Sequence, residues 1–558
     1  MNRIIQRTYV RQVLRMCNPV RTVHVTNGTS GLRHLSTTAT DVFRPPEPPR
    51  IWGPSVDYFS VKTDGRIEFG DYETICSQQK TDTKTKTHSS AKTLGTSAGP
   101  LEGEFVWLRG RVASIRTKGN SCFIVIRSDT FYTVQACHFK ESSKDEAQVE
   151  ASKALLKFAA SIALESIVDI CGVLVPASVK SCSQNNVELQ IRKLFVVSRA
   201  RTVLPFLLED AARPQSALDA TADSERPLAG VGQDTRLNNR WLDLRVPANN
   251  AIMRIRSAVS TLFREALLQQ DFIEINTPKL IGGESEGGAN AFRADYFGRD
   301  ACLAQSPQLY KQMAIASDLP RVFEIGPVFR AENSNTRRHL CEFTGLDIEM
   351  AITEHYNETL EVIHKTFRHI FDGLEARCAK ELAVVRMQYP SEPVKFTEKP
   401  CIIHWEDGMK MLQDSGEVVD IYADLSSAQE LKLGQLVKDK FNTDFFMLDQ
   451  YPANIRPFYT MRSPHNPRFS NSYDMFIRGQ EICSGAQRCH QADKLEEQIV
   501  SQGMNVDSLK YYIESFRAGV SPHAGAGIGL DRVVFLYLGL DNIRKSNMFP
   551  RDPSRLVP

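Results

Sequence analysis

Residues 321 to 350 constrain the fold more than any other stretch, because they predict a long antiparallel hairpin. Two alternating apolar and polar runs, 322 to 330 and 341 to 350, flank a loop of Asn, Ser, Thr, Arg and His. Such alternation is typical of half-buried strands joined by a turn. The charged residues of this hairpin and its loop are Arg330, Glu332, Arg337, Arg338, His339, Asp347 and Glu349.

The charged face of the hairpin has two interpretations. It is either a solvated surface with cross-strand ion pairs, or a surface that binds a polyanion, because Arg stays charged and matches phosphate bidentately. Residues 525 to 532, GAGIGLDR, favour the second. Glycine lets a ligand approach the backbone, and a helix that begins beyond a glycine-rich turn would direct N–H groups at an anion.

Four short segments together resemble the signature motifs of the class II aminoacyl-tRNA synthetases. They are FRAE ending at Glu332, RRH ending at His339, GIGLDR ending at Arg532, and FIEINTPKL with Pro278. The resemblance is closest to the eukaryotic aspartyl type and extends from about residue 101 to the C-terminus. It implies an aspartate–tRNA ligase that joins L-aspartate to tRNA-Asp through an aspartyl-adenylate for protein synthesis, with ATP as substrate and Mg²⁺ as cofactor.

The order of predicted elements indicates an α+β chain with two folded domains. Residues 104 to 198 predict three strands, a helix at 146 to 160 and two more strands, the order of an OB-fold barrel, which suits single-stranded nucleic acid. The resemblance implies an OB-fold anticodon-binding domain at 101–200 and a hinge at 201–245. It places a class II catalytic domain, an antiparallel sheet flanked by helices, at 246–558.

The N-terminal region has a different composition. Residues 1 to 40 contain six Arg and no acidic residue, and four of these recur every four positions, at Arg3, Arg7, Arg11 and Arg15. Residues 1–50 are therefore either a mitochondrial transit segment or a basic tail that is disordered or contacts tRNA. Residues 51–100, rich in Pro, Gly, Thr and Lys, predict a largely disordered extension. We expect a cytoplasmic enzyme, with a mitochondrial form if residues 1–40 act in targeting.

Net charge, cysteine content and hydropathy limit which classes of protein this chain can belong to. The net charge of +2 over 558 residues requires that any nucleic-acid contact rest on local positive charge. The 12 Cys include no CxxC pair, which argues against a zinc site or a disulfide framework. The sequence contains no run of 18 apolar residues, so no membrane span is expected.

Aspartate recognition requires cations for two carboxylates and acceptors for an ammonium group. The resemblance assigns Lys311 and Arg488 to the side-chain carboxylate, and a glycine-rich segment around Glu286 to a loop that closes over the substrate. A buried Lys facing a neutral amide would lack a partner, so Lys311 favours aspartate over asparagine. The aspartate-binding residues implied are Glu286, Gln308, Lys311, Asp347, Ser484 and Arg488.

The resemblance also implies the nucleotide, metal and anticodon residues. Arg330 and Arg532 are the expected catalytic residues, at the α- and γ-phosphates. The ATP-binding set is Arg330, Glu332, Arg338, His339, Leu340, Phe343, Glu481, Gly529 and Arg532. Asp474 and Glu481 are the expected Mg²⁺ ligands, because carboxylates and phosphate oxygens suit that hard cation. On the barrel, Phe123 would stack on an anticodon base and Gln135 would bind a base edge.

Residues 251 to 270 predict an amphipathic helix, with apolar residues at helical spacing. Core packing is the ordinary meaning of such a pattern. In class II enzymes this helix and the strand that ends near Pro278 lie at a subunit interface, so the resemblance implies a homodimer. A catalytically silent relative is the alternative, but such copies lose their motif cations first, and here all of them are present.

Overall fold

The structure is a computed structural model that describes residues 67–71, 88–89, 103, 105–282 and 291–558. These residues belong to one compact unit, Val61–Lys80 with Lys84–Pro558. The predicted basic segment at 1–50, most of the extension at 51–100 and the loop residue Glu286 lie outside the described residues.

The N-terminal part of the described chain is a closed barrel. Its elements are β1 (Glu68–Asp71), β2 (His88–Ser89), β3 (Phe105–Lys118), β4 (Ser121–Ser128), β5 (Tyr132–Phe139), α1 (Glu146–Ala160), β6 (Ile167–Pro176) and β7 (Val187–Ser198). Strands β3, β4, β5, β7 and β6 pair in that order, and β6 pairs back onto β3. Three strands, a helix and two strands close into the barrel, which confirms the predicted OB-fold.

Alternation along the strands builds the barrel core. In β4, Cys122, Ile124 and Ile126 are fully buried, and the residues between them lie on the outer face. Outside the closed ring, β1 pairs with β7, and Phe69 packs against Phe158 of α1 with ring centroids 5.3 Å apart. Part of the stretch 51–100, expected to be largely disordered, therefore forms strand, because its apolar residues complete the barrel surface.

Short helices join the barrel to the second domain. They are α2 (Leu208–Ala212), α3 (Gln215–Asp219), α4 (Gln233–Asn238) and α5 (Arg240–Asp243). Arg240 is buried and donates to Asp243 and to the backbone carbonyls of Asn547 and Met548. The connector is thereby attached to the C-terminal end of the chain.

The second domain is organised on a large mixed sheet. Its strands are β8 (Ile273–Glu274), β12 (Arg321–Phe329), β13 (Glu342–Ala351), β14 (Ile402–His404), β15 (Phe445–Asp449), β16 (Ser472–Ile477), β17 (Gln480–Gln487) and β18 (His523–Gly529). Their order is β14-β15-β16-β17-β18-β13-β12-β8, antiparallel except at the two edges. A small separate sheet contains β9 (Leu280–Ile281), β10 (Arg293–Asp295) and β11 (Asp300–Leu303).

Helices flank this sheet, as expected for the class. They are α6 (Pro247–Leu268), α7 (Gln308–Ala316), α8 (Asn357–Arg377), α9 (Ala379–Gln388), α10 (Trp405–Asp414), α11 (Ser427–Phe441), α12 (Ala492–Ser501), α13 (Lys510–Arg517) and α14 (Leu530–Tyr537). Turns of 3-10 helix cover Ala453–Ile455, Val506–Leu509 and Ile543–Ser546. The predicted amphipathic face of α6 is buried at Ile252, Ile255, Val259, Leu262, Phe263 and Ala266.

The prediction for the hairpin is confirmed, and the prediction for the glycine-rich segment is wrong. Strands β12 and β13 pair along their length, from Arg321 opposite Met350 to Phe329 opposite Glu342, which confirms the hairpin. The sequence predicts a turn for the glycine-rich segment, but that segment is the central strand β18. The helix does begin just after it, at Leu530. Among the described helices, none is long and apolar enough to cross a membrane.

Candidate active site

Distant segments meet on one face of the sheet because of strand register. Asp347 of β13 lies opposite Gly527 of β18, which lies opposite Ser484 of β17, which lies opposite Asp474 of β16. Cross-strand partners share a face of the sheet. A transverse row of polar residues and glycine therefore crosses four strands.

A cavity of about 370 Å³ lies over this face. The predicted site residues that line it are Gln308, Arg330, Glu332, Arg338, His339, Leu340, Phe343, Asp347, Glu481, Ser484, Arg488, Gly529 and Arg532. Two predicted residues, Lys311 and Asp474, are not part of the lining, but each is the neighbour of a residue that is: Lys311 contacts Asp347, and Asp474 contacts Arg456. The cavity size suits a nucleotide or an amino acid.

The alternate glycines of β18 explain the room on this face. A Cβ atom placed on Gly525 would collide with the Glu349 carboxylate and with the Ile348 carbonyl oxygen. A Cβ on Gly527 would lie 3.2 Å from Asp347 Oδ1. Glycine here makes space for buried carboxylates on the neighbouring strand, which is a close approach of the kind that a side chain would prevent.

Four buried charged groups form a cluster at one end of the cavity. Lys311 Nζ lies 3.0 Å from Asp347 Oδ1 and 3.5 Å from Glu349 Oε2. Arg488 donates Nε to Glu349 Oε1 at 2.9 Å and Nη2 to Oε2 at 3.1 Å. Two cations and two carboxylates neutralise one another, as buried charges require.

Burial and ion pairing shift the two carboxylates in opposite directions. Burial raises the pKa of Asp347, and the nearby Lys311 only partly opposes this. Burial also disfavours the Glu349 carboxylate, but Arg488 and Lys311 outweigh that effect and lower its pKa. Glu349 is therefore the fixed counterion of the cluster. Asp347, which also lines the cavity, gains from an additional cation such as a substrate ammonium.

Arginines surround the other end of the cavity. The Arg330 guanidinium lies 5.6 Å from the centroid of the Phe343 ring, and its nearest carboxylate, on Glu332, is 3.8 Å away. Arg330 Nε is buried and has no hydrogen-bond partner among the described residues. Arg532 Nη1 lies 3.5 Å from Glu481 Oε2. An unpaired buried N–H and weakly paired guanidinium groups are suited to an anion.

The loop between β12 and β13 adds a histidine to this end. Burial, together with Arg532 and Arg338, lowers the pKa of His339. Thr336 Oγ1 lies 2.6 Å from His339 Nδ1. The imidazole is thus neutral near pH 7 in the arrangement described, and it can donate or accept a hydrogen bond at its remaining nitrogen.

The two predicted metal ligands lie on one hairpin, β16–β17. Asp474 is buried and accepts from Arg456 Nη2 at 2.8 Å, and its Oδ1 has no hydrogen-bond partner among the described residues. Burial and the neighbouring Glu481 raise the pKa of Asp474. No group of three or more His, Cys, Asp or Glu suited to a metal occurs in the described part of the chain. A metal here would need ligands from elsewhere.

The two predicted anticodon residues lie on the outer face of the barrel. Phe123 of β4 pairs with Cys137 of β5, and the next pair on that face is Val125 with Gln135. Phe123 meets Phe139 edge to face with ring centroids 5.7 Å apart. Gln135 donates to Glu188 Oε2 at 3.0 Å. The structure thus places both on one surface, about two residues apart along the strands.

Sequence reasoning did not assign two residues of the site. Glu349 holds both Lys311 and Arg488, and its position two residues after Asp347 on a strand could have revealed it. Arg456 lines the cavity between the Tyr451 ring, 3.8 Å from the centroid, and Asp474. It lies in a loop, and no periodicity or motif marks it.

Comparison with known proteins identifies the family of the chain. The family "tRNA synthetases class II (D, K and N)" matches residues 232–553, and an "OB-fold nucleic acid binding domain" matches residues 106–197. The chain is 50% identical over 82% of its length to "Aspartate--tRNA ligase, cytoplasmic" of Homo sapiens, covering 89% of that protein. It is 48% identical to "Aspartate--tRNA ligase 2, cytoplasmic" of Arabidopsis thaliana, covering 82% of this chain and 81% of that one.

Solved structures give the same result. The aspartyl-tRNA synthetase of Entamoeba histolytica superimposes with a TM-score of 0.77 at 42% identity, over 88% of this chain and 96% of that one. The asparaginyl-tRNA synthetase of Pyrococcus horikoshii, solved with asparaginyl-adenylate, gives 0.71 at 29% identity, over 82% and 97%. The chain belongs to the class II tRNA synthetases. Within that class it belongs with the aspartate–tRNA ligases.

Proposed function

We propose that the cavity activates aspartate with ATP and that the residues lining it divide this work between two ends. The chain ligates aspartate to tRNA for translation, and enzymes of its class use ATP. At the end with the buried cluster, Lys311 and Arg488 bind the side-chain carboxylate of aspartate. Asp347 and Gln308 bind the ammonium, with Ser484 beside them. The raised pKa of Asp347 supports this, because Lys311 only partly offsets the burial of that carboxylate and a substrate ammonium would stabilise its charged form. Glu286 stays a prediction for the closing loop.

ATP occupies the end lined by arginines. The adenine stacks between Phe343 and Arg532, and Arg330 binds the α-phosphate. Arg338 and His339 bind the outer phosphates, and the main chain at Leu340 and Gly529 with the Glu332 side chain borders the nucleotide. The unpaired Arg330 Nε supports this placement, since phosphate would satisfy it.

The reaction needs no covalent enzyme intermediate. The aspartate α-carboxylate attacks the α-phosphorus of ATP in line, the bond to the β-phosphate oxygen breaks, and pyrophosphate leaves. Negative charge develops on the α-phosphate oxygens, and Arg330 stabilises it there. The terminal adenosine hydroxyl of tRNA then attacks the carbonyl of the aspartyl-adenylate and releases AMP.

The observation that carries this proposal is the convergence of Arg330, Arg488 and Arg532, from three separate segments, on a single cavity with Asp347. The direct test is exchange of labelled pyrophosphate into ATP by the purified chain, with and without aspartate. Exchange that depends on aspartate is expected. A chain that is folded but gives no such exchange contradicts the proposal.

The residues near Asp474 fit a magnesium ion. Asp474 Oδ1 lacks a hydrogen-bond partner among the described residues, and Glu481 is close enough to raise the pKa of Asp474. Two carboxylates with phosphate oxygens and water are ligands that Mg²⁺ accepts. When bound, the ion would neutralise phosphate charge. Asp474 and Glu481 would hold it, and Arg456 would orient the Asp474 carboxylate.

Asparagine is the second candidate substrate, because an asparaginyl enzyme shares the fold at 29% identity. Lys311 and Arg488 argue against it, since the amide NH2 of asparagine would present a donor instead of a charged acceptor to these two cations. Comparing aminoacylation of purified tRNA-Asp and tRNA-Asn, with each amino acid, tests this. Charging of tRNA-Asn with asparagine would contradict the assignment.

The barrel binds the anticodon of tRNA-Asp through Phe123 and Gln135. The bounds of the barrel and of the catalytic domain stay those predicted from the sequence.

We further propose a homodimer formed through α6 and β8. Exposed apolar side chains there, Leu268 at 53% and Ile273 at 46%, support it. Sedimentation would show a dimer of about twice 62.8 kDa. The cytoplasmic location follows the named relatives, and a mitochondrial form through residues 1–40 stays a prediction.

A further inference from the structure

The Arg338 side chain is held by a helix that contributes none of the assigned site residues. Arg338 Nη1 donates to Glu430 Oε2 at 3.0 Å, and Nη2 donates to Ser427 Oγ. Ser427 begins α11, and Glu430 lies in the first turn of that helix. Two contacts from one helix end fix both terminal nitrogens of the guanidinium group.

The position of α11 is itself fixed beside the active site. Ser426 and Gln429 form a reciprocal capping box at its start, which satisfies two backbone N–H groups. Further along, a Cβ on Gly434 would collide with the backbone of Gly479, in the turn between β16 and β17. The helix therefore packs directly on the hairpin that carries Glu481, so Glu430 is a rigid neighbour of the phosphate end of the cavity.

Each arginine at that end faces one carboxylate. Arg330 is 3.8 Å from Glu332, and Arg532 is 3.5 Å from Glu481. The pair of Arg338 with Glu430 is the closest of the three, at 3.0 Å, and the least exposed, at 25% and 14%. Glu332 and Glu481 line the cavity and have roles there, whereas Glu430 lies outside the lining. Glu430 therefore competes with the outer phosphates of ATP for Arg338.

Charge makes this pairing sensitive to a bound nucleotide. A triphosphate adds several negative charges to the same region. Both terminal nitrogens of Arg338 donate to α11, so turning the guanidinium group to a phosphate separates Glu430 from its closest cation.

We propose that Glu430 and Ser427 are positioning residues that hold Arg338 in the nucleotide-free enzyme and release it to the outer phosphates when ATP binds. This inference rests on the proposed ATP site. It deepens that site, because it identifies the contacts that ATP must displace to engage Arg338. Glu430 then acts on ligands that have β- and γ-phosphates and not on AMP or aspartate.

Glu430→Gln in the full chain tests the inference, because it keeps the shape of the side chain and removes its charge. ATP and AMP binding are measured by calorimetry, and the KM for aspartate by pyrophosphate exchange. The dissociation constant of ATP should fall by about fivefold, the order expected for one partly exposed ion pair. AMP binding and the aspartate KM should not change. In an Arg338→Ala background, Glu430→Gln should leave ATP binding unaltered.

Glu406→Gln is the matched control, because Glu406 is an exposed residue in the first turn of α10. This substitution should leave the ATP and AMP dissociation constants and the aspartate KM unchanged.

Ser427→Ala removes the second contact of Arg338 at an exposed site. Because one hydrogen bond that competes with ATP is lost, the ATP dissociation constant should be about twofold lower. If Glu430→Gln does not fold, Ser427→Ala is used to test the inference. ATP binding that does not respond to Glu430→Gln, or ATP and AMP constants that rise together, would overturn the inference. Failure of the proposed ATP site is recognised separately, as a wild-type chain without aspartate-dependent exchange.

Discussion

Lys311 Nζ lies 3.0 Å from Asp347 Oδ1, and both side chains are buried. The ammonium reaches the site from helix α7, and the carboxylate projects from strand β13. This pair connects helix α7 with the strand that follows the loop for which we propose phosphate binding. Removing either partner leaves a buried charge without its counterion, which is costly in the protein interior.

Lys311→Met should abolish most aspartate activation. The substitution leaves Asp347 and Glu349 with one buried cation fewer and leaves the substrate carboxylate with Arg488 alone. Truncating one partner of a desolvated charge pair between protein and ligand costs about 2–5 kcal/mol of binding free energy, so kcat/KM for aspartate in pyrophosphate exchange should fall at least roughly thirtyfold. The control is Lys365→Met, whose side chain is 67% exposed on α8. An unchanged kcat/KM in Lys311→Met would exclude Lys311 from aspartate recognition.

Arg330→Ala and Arg532→Ala should slow pyrophosphate exchange without unfolding the protein. Their side chains are 42% and 27% exposed, so removing them costs little stability. Removing one preorganised charge at the reacting phosphate lowers the rate by roughly a hundred- to a thousandfold. Arg368→Ala, 44% exposed on α8, is a control that should behave as wild type. Thermal unfolding checks the fold, and unaltered exchange in either active-site variant would refute its role.

The sequence predicts the local elements of the catalytic domain well and their mutual register poorly. Period-two alternation is a local property, so the predicted β12–β13 hairpin lies within a residue of its observed ends. Which residue of β18 lies opposite Asp347 depends on pairing between segments about 180 residues apart along the chain, and no local pattern encodes that register. Only the resemblance to the family motifs predicted that residues from these distant segments lie in one site, because periodicity describes each segment alone.

The secondary structure of the glycine-rich segment also could not be predicted from its local sequence. Alternate glycines predict a turn, because glycine disfavours strands and is common in turns. In the structure the segment pairs with β13 and β17 as a strand, and its glycines leave room for the Glu349 and Asp347 side chains. Arg456 and Glu430 could not have been found from the sequence either, since their importance lies entirely in contacts with residues from other segments.

Gly525→Ala should disturb aspartate binding more than ATP binding. The added methyl group would collide with the Glu349 carboxylate, which holds Arg488 and Lys311 in place. Overpacking of this kind costs about 1–3 kcal/mol of folding free energy, and displacement of Arg488 should raise the aspartate KM about tenfold. Denaturant unfolding and exchange kinetics measure the two effects. Gly232→Ala is the control, because a Cβ there would meet nothing within 4 Å. Equal KM values for aspartate in both variants would show that Glu349 tolerates displacement.

Phe123→Ala should weaken tRNA charging and leave amino acid activation intact. Phe123 lies on the outer face of β4, where a base can stack on its ring, and its contact with Phe139 keeps the ring oriented. Loss of one base–aromatic stack costs about 1–3 kcal/mol, so the KM for tRNA-Asp should rise roughly tenfold or more. Pyrophosphate exchange without tRNA should be unchanged, because the catalytic residues lie on the large sheet. Phe105→Ala serves as the matched variant, since Phe105 is an exposed barrel aromatic that pairs with β6 instead of β5. If the two variants charge tRNA-Asp equally well, the β4 face is not where the anticodon binds.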